Sequence, residues 1–359
     1  MKVSVSMMTY NHERYIAQAI NSVLMQNVNF DYELVIGEDC STDNTRNIVV
    51  EFRDRYPDKI RLVLSDTRVG GHRNAARTRE ACQGQYIAVL DGDDYWTRPD
   101  KLQKQVDFMD SHPEYAACFH DAIAIYEDGS SESHNYCPAN LKERITVEDL
   151  LVADYIPSCG LVCRRGLLGK FPDWVDTLKM GDWPAAIFLA QHGQIEYINE
   201  VMAAYRIHAG GMWSGLSAAE RLQANLEFYT RINVYMNSQY EITLGIEVSN
   251  RWGELATSCV EQAAKQGSVR SAVDNLLDLF NHWSLESSLP SAWRVNALRR
   301  IWPTLFFASY RIRDFSGVRY CWPRMVWSDP EWLRNRGVWS IGAEAFLGQR
   351  VAGLLRSIG

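Results

Sequence analysis

Apolar and polar positions follow two different periods along the first third of the chain. Residues 3–8 (VSVSMM) alternate as a half-buried strand does, and Thr9-Tyr10-Asn11-His12 ends the run. From Glu13 the spacing lengthens, with Ile16, Ala19, Ile20, Val23 and Leu24 on one face of a predicted helix. Residues 32–38 (YELVIGE) give a second strand, closed by Asp39-Cys40-Ser41-Thr42-Asp43, and Ile48, Val49 and Phe52 mark a second helix. Residues 60–64 form a third strand, Gly70-Gly71 a loop, residues 74–82 a helix, and 86–90 (YIAVL) a short buried strand. Strand and helix have then alternated three times, the pattern of a parallel sheet covered by helices on both faces. In open sheets of that kind ligands sit outside the carboxyl ends of the strands, so Thr9-Tyr10, Glu38-Asp39 and Asp91-Gly92-Asp93 should converge on one crevice.

Further on, the spacing predicts a helix over 99–111, strands over 115–126 and 158–163, a helix from Asp182 through Ala190, and short strands over 195–198 and 201–206. From Ser217 the pattern is helical nearly to the end, with breaks expected at Gly245, Gly267, Pro290 and Pro303. The last helix is expected to carry Phe346, Leu347, Val351, Leu354, Leu355 and Ile358 on one face, flanked by Arg350 and Arg356.

The stretch YIAVLDGDDYW changes the picture from fold to chemistry. Three carboxylates in four residues close an apolar strand, and removing unpaired carboxylates from water costs several kcal/mol each, in order of magnitude about what a fold can spare. A divalent cation, Mn²⁺ or Mg²⁺, resolves the repulsion, since both favour hard oxygen ligands and bind through one or two carboxylates plus substrate phosphates. Gly92 lets the backbone turn so that Asp91 and Asp93 can face one ion. A polar turn or helix N-cap after a strand is the plainer reading of the same residues.

Composition separates two modules. The 359 residues are 47% hydrophobic and 23% charged, as in a soluble globular protein, and no run of apolar residues is long enough for a membrane helix or a signal h-region. A cytoplasmic protein is expected. Eight cysteines without a C-x-x-C pair fit reduced thiols rather than disulfides or a zinc site. From Pro290 onward there are eleven Arg, no Lys and four acidic residues, a net +7; the whole chain is −7, leaving −14 for residues 1–289. Six of the twelve Trp also fall in that tail, which could rest on an anionic membrane or pack on itself or a second copy of the chain; nothing in it resembles a nucleic-acid module.

Read in order, VSVSMMTYNHERYIAQAINSVLMQ, ELVIGEDCSTDNT, GQYIAVLDGDDYW, KMGDWPAAIFLAQHG and VMAAYRIHAGGMWS resemble the family 2 glycosyltransferases of the GT-A fold, over residues 1–215. The resemblance implies an α/β fold, a GT-A-like mostly parallel sheet flanked by helices, with a domain at 1–215; beyond it the helical pattern and the shift in composition predict an α-helical C-terminal module at 216–359. The resemblance also implies inverting transfer of a sugar from a nucleotide-diphosphate donor, UDP-sugar first, to a glycan, lipid-linked or polymer acceptor, in surface glycan or glycoconjugate synthesis. Carried over residue by residue, Asp93 is the direct metal ligand, Asp91 contributes through ribose or a metal water, and His208 adds to the metal or diphosphate. Asp39 matches the acid that accepts the uracil N3 hydrogen and Tyr10 the ring on the base; Thr9, Glu38, Asn74, Arg77 and Gly92 fall at donor contacts. Asp182 matches the general base, although relatives often have Glu-Asp where this chain has Gly181-Asp182. Trp96, Trp183 and Trp213 are candidate rings for sugar faces, with core packing as the alternative. Asp39 and Asp182 read also as turn or N-cap residues. Two other functions stay open on sequence: Mg²⁺-dependent phosphoryl or nucleotidyl transfer, and a sugar-nucleotide binding module without chemistry.

Overall fold

The structure is a computed structural model and describes residues 1–169, 171–266, 269–285 and 289–348. The chain forms two compact units, Met1–Gly215 and Leu216–Gly359.

In the first unit β1 (Val3–Thr9), β2 (Tyr32–Glu38), β3 (Ile60–Leu64) and β4 (Tyr86–Asp91) are joined through α1 (Ile16–Leu24), α2 (Thr45–Arg55) and α3 (Gly71–Ala81). They pair in parallel in the order β3-β2-β1-β4. The helical spacing read from sequence works as expected: Ile16, Ala19, Ile20 and Val23 of α1 are all fully buried in the core with Val3, Val5 and Met7 of β1. Burying such side chains stabilises by about 1.5–3 kcal/mol each.

Next along the chain come β5 (Tyr95–Trp96), α4 (Lys101–Ser111), β6 (Ala117–Tyr126), β7 (His134–Asn135), β8 (Arg144–Ile145) and α5 (Val147–Val152). They are followed by β9 (Val162–Arg164), α6 (Asp182–Ala190) and β10 (Ile195–Ile207). The sheet continues β4-β9-β6-β10-β5, with β7 on β6 and β8 on β10. β9 is antiparallel to both β4 and β6, and β10 is parallel to β6. Two reversals restore the direction, so β6 and β10 run the same way as β1, β2 and β4. Their carboxyl ends therefore share one edge, which is what brings residues 9, 39, 91 and 208 together from distant parts of the chain.

Three sequence expectations change. Only Val162–Arg164 of the strand expected over 158–163 pairs; Ser158–Gly160 is a 3-10 turn. The two strands expected after residue 195 are one, bent by register shifts between Ile198 and Ala203. In the second unit α7 (Ala218–Tyr235), α8 (Glu241–Gln266), α9 (Val269–Ser284), α10 (Ser291–Arg311), α11 (Phe315–Ser328) and α12 (Arg336–Leu347) follow one another. Neither Gly245 nor Pro303 breaks its helix. Gly245 lets α8 approach α10 closely, since a Cβ there would lie 2.7 Å from the Trp293 ring. Gly267 and the residues expected on the last helix beyond 348 lie outside the described residues. Among the described residues no helix is long and apolar enough to cross a membrane.

Candidate active site

The ends of β1 and β2 are latched to each other by their own polar side chains. Ser41 Oγ accepts from the Asn11 amide (3.0 Å), Asn11 Oδ1 from the Thr42 amide (2.8 Å) and Thr45 Oγ1 from the His12 amide (2.8 Å). Asn11 and Cys40 take positive φ, 55° and 58°, a conformation that Asn tolerates and Cys seldom adopts, so surrounding bonds hold the turn. Asp39 is 2% exposed; its two carboxylate oxygens accept from the Val69 (2.7 Å) and Gly70 (2.9 Å) amides. The Arg68 guanidinium lies 4.1 Å from the centre of the half-buried Tyr10 ring.

Glu38, Asn74 and Arg77, expected at donor contacts, are engaged within the protein. Glu38 is fully buried and accepts from Arg46 (2.5 Å) and the Ser41 amide (2.6 Å). Asn74 Nδ2 donates to Gly37 O (2.8 Å), while Arg77 donates to Asn74 Oδ1 (2.9 Å), Glu38 O (2.6 Å) and Leu64 O (2.9 Å). They clamp the ends of β2 and β3 and so set where Asp39 stands.

After β4 the acids part company. Gly92 donates to Met8 O (2.9 Å), and a Cβ on it would meet Thr9 Oγ1 at 2.7 Å and His12 Nδ1 at 3.0 Å, so only glycine fits. Asp93 Oδ2 lies 3.1 Å from His208 Nε2 and 3.5 Å from His12 Nε2. Burial opposes its charge, but the His208 hydrogen bond and the two imidazoles outweigh burial and hold Asp93 below the usual carboxylate range. Asp91 accepts from Ser158 Oγ (3.0 Å) through Oδ2, and its Oδ1 is buried without a protein partner. Burial, then the charges of Asp93 and Asp182, push Asp91 up to about 7. Asp94 is buried, accepts from the Arg206 amide (2.8 Å), and is raised well above its ordinary value by burial and then by Asp93 and Asp91. Arg206 also donates to the Asp93 carbonyl, tying the end of β10 to this turn.

Asp182 opens α6, where Gly181 is the N-cap and Asp182 Oδ1 accepts from the Trp183 amide (2.9 Å). The side chain is exposed to solvent, and desolvation by the protein around it raises its pKa. A Cβ on Gly181 would lie 2.9 Å from the His72 ring, whose charge lowers the Asp182 pKa. Asp154, two residues past α5, is raised well above its ordinary value by burial and then by the charge of Asp182. Trp183 Nε1 donates to Leu150 O (2.6 Å) and Cys137 Sγ to Tyr155 O (3.4 Å), knitting the Asp154 and Asp182 segments to Tyr136; the Tyr136 and Tyr205 rings stand 5.5 Å apart.

Two of the three candidate sugar-stacking rings are corrected. Trp96 is 1% exposed and donates to Cys159 O (2.8 Å), and Trp183 is 4% exposed; both are core side chains with no face for a ligand. Trp213 is half-buried in the tight loop after His208, whose carbonyl accepts from Ser214 Oγ (2.7 Å). His12, His72, Asp154 and Ser158 were not singled out from sequence. His12 stood in the TYNH break after β1 and could have been found there; Asp154 carries no local signal. Among the described residues no group of three or more His, Cys, Asp or Glu side chains is spaced to enclose a metal ion.

The family model for glycosyl transferase family 2 matches residues 4–168. An uncharacterized glycosyltransferase of a Nostoc species is 32% identical over 249 residues, 67% of this chain and 74% of that protein. The chain belongs to glycosyltransferase family 2. It also matches an uncharacterized protein of Mycobacterium tuberculosis, 37% identical over 211 residues, so that the chain spans only 60% of that relative's length and the match takes in 59% of this chain. TarS of Staphylococcus aureus, a poly(ribitol-phosphate) beta-N-acetylglucosaminyltransferase, is 34% identical over 114 residues, 31% of this chain and 19% of TarS. The structure of TarS 1–349 with UDP-GlcNAc shares the fold at 17% identity, with a TM-score of 0.51, covering 97% of this chain and 93% of that one. The mixed, mostly parallel sheet flanked by helices is thus GT-A-like.

Proposed function

We propose that this glycosyltransferase is cation-dependent and inverting, takes a UDP-sugar, and transfers to a hydroxyl of a glycan, lipid-linked or polymer acceptor in surface glycan synthesis. One observation carries the reading: Asp93, held ionised by His12 and His208, and Asp182 at the start of α6 both act through their charges on Asp91. Asp39 supports a pyrimidine, because each oxygen that accepts from a loop amide keeps a second lone pair for an imide hydrogen. Tyr10, half-buried with the Arg68 guanidinium 4.1 Å from its ring centre, supports stacking of a base. TarS, bound to UDP-GlcNAc, favours uridine among the nucleotides.

The residues fit a divalent cation. Asp93 would hold it directly, with Asp91 reaching it through a water and His208 turned to the metal or the diphosphate, a set short of a full protein shell and so dependent on donor phosphates. When bound, such an ion supplies positive charge against the negative charge developing on the leaving diphosphate. Asp182 takes the proton from the acceptor hydroxyl, that oxygen attacks the anomeric carbon opposite the diphosphate, and the bond from carbon to phosphate oxygen breaks with inversion. His72 and the helix N-terminus favour the ionised base. The helical unit, with Trp327 89% exposed and an arginine-rich composition, suits a role in bringing the enzyme to an anionic surface or polymer, or in self-association.

The test is a panel of UDP-, dTDP- and GDP-sugars incubated with and without Mn²⁺, read by product release and by NMR of the anomeric configuration. Cation-dependent turnover of a UDP-sugar with inversion is expected; turnover unaffected by chelator, or with retention, would overturn the reading.

A further inference from the structure

A second group of polar side chains lies buried beside the turn that holds Asp91, and the mechanism uses none of it. Lys101 begins α4 with no exposed surface; its Nζ sits 3.8 Å from the centre of the Trp96 ring and has no hydrogen-bond partner in the protein. Gln105, one helical turn on and also fully buried, donates through Nε2 to Gly160 O (2.9 Å), leaving Oε1 unpartnered. His120 of β6 is fully buried, with Nδ1 2.8 Å from Asp121 O and Nε2 unpartnered. A carbonyl can only accept, so Nδ1 carries the proton and Nε2 presents a lone pair.

Gln105, His120 and Trp96, the ring that Lys101 covers, all meet the Ser158–Gly160 turn. Trp96 Nε1 donates to Cys159 O (2.8 Å), Gln105 to Gly160 O, and Gly160 packs so closely on β6 that a Cβ would meet His120 O at 2.5 Å. The same turn sends Ser158 Oγ to Asp91 Oδ2.

The unmatched set is Lys101 Nζ, an N–H donor whether or not it is protonated, and two acceptors. An anion would meet two lone pairs; a small neutral molecule that both accepts and donates satisfies all three. We propose that Lys101, Gln105 and His120 form a built site for internal water, and that through it Lys101 is a positioning residue for Asp91. Water there accepts from Lys101 Nζ and donates to His120 Nε2 and Gln105 Oε1, the three bonds typical of buried water. Burial, then the Lys101 charge, brings His120 down to about 3, so its ring stays neutral and Nε2 stays an acceptor at working pH.

The water site stands apart from sugar transfer; only the positioning role rests on the proposed function. A crystal structure of the full chain is expected to show ordered water bonded to Lys101 Nζ and to His120 Nε2 or Gln105 Oε1. Nζ bonded directly to protein atoms would overturn the site, as would nitrogen NMR placing the His120 proton on Nε2. Lys101→Met keeps the stem on Trp96 and removes the donor. With UDP-GlcNAc and Mn²⁺ it is expected to raise the donor KM about ten-fold and leave kcat within about two-fold. Should that variant fail to fold, Gln105→Met carries the same expectation. A folded variant with unchanged KM would overturn the positioning role while leaving sugar transfer intact.

Discussion

The site contrasts two sets of aspartates tuned in opposite directions. Asp93, against two imidazoles, is held ionised despite burial, whereas Asp91, Asp94, Asp154 and Asp182 are all raised by the same burial. Residue type is constant, and the neighbours decide the proton. The contrast separates the work: a permanent negative charge suits a cation shared with phosphates, and a carboxylate with elevated pKa suits taking a proton from an alcohol.

The largest effect that would break this division is at the base. Asp182→Asn is expected to lower kcat by about 10³-fold while UDP-sugar binding by titration calorimetry stays near wild type. In the wild-type enzyme kcat should rise with pH through a limb above the ordinary carboxylate range, because only ionised Asp182 accepts the proton. Retained transfer in the variant would remove Asp182 from its role.

Next, Asp93→Ala is expected to weaken donor binding in Mn²⁺ by about 10²-fold, with little change in chelator, and His208→Ala by about 10-fold. Equal losses with and without the cation would point to collapse of the β4 turn.

The third effect reads on stability. Asp91 titrates near 7 when folded and near 3.8 unfolded, so the native state binds more protons between those values and stability falls as pH rises through that window. Lys101 has the opposite sign above about 7, since burial lowers its folded pKa from 10.5. The two are separated by difference: without cation, wild type should lose melting temperature between pH 5 and 7 relative to Asp91→Asn, and added Mn²⁺ should shrink the gap. Parallel pH curves would place Asp91 among ordinary carboxylates.

The smallest effect sharpens the comparison within the raised set. Asp154 is raised partly by ionised Asp182, so it should still hold its proton when Asp182 loses one. Asp154→Asn is then expected to leave the acid limb of the rate profile in place and to remove only an inflection at higher pH. A limb displaced to lower pH would mean that both acids ionise together.

Much of the fold was legible because the strands of the first unit are continuous apolar runs closed by polar turns, a signal with a period of its own. The buried role of Glu38 was not, since its partner Arg46 lies on the next helix and no spacing rule pairs them. Nor could the sequence tell that Trp96 and Trp183 pack inward, for an aromatic beside a site looks the same whether it faces ligand or core.

What the sequence determined by itself is the alternation of strand and helix, the strand ends that carry acids, and the family to which those ordered motifs are similar. These depend on local periodicity and on residues close in the chain. Only the tertiary structure decided that His12 and His208 meet on Asp93, that His72 bears on Asp182 and Asp182 on Asp154, and which carboxylates burial raises. Charge interactions depend on distance through space and on the surrounding dielectric, and both are fixed only when β10 returns beside β6 and brings the end of the domain to its beginning.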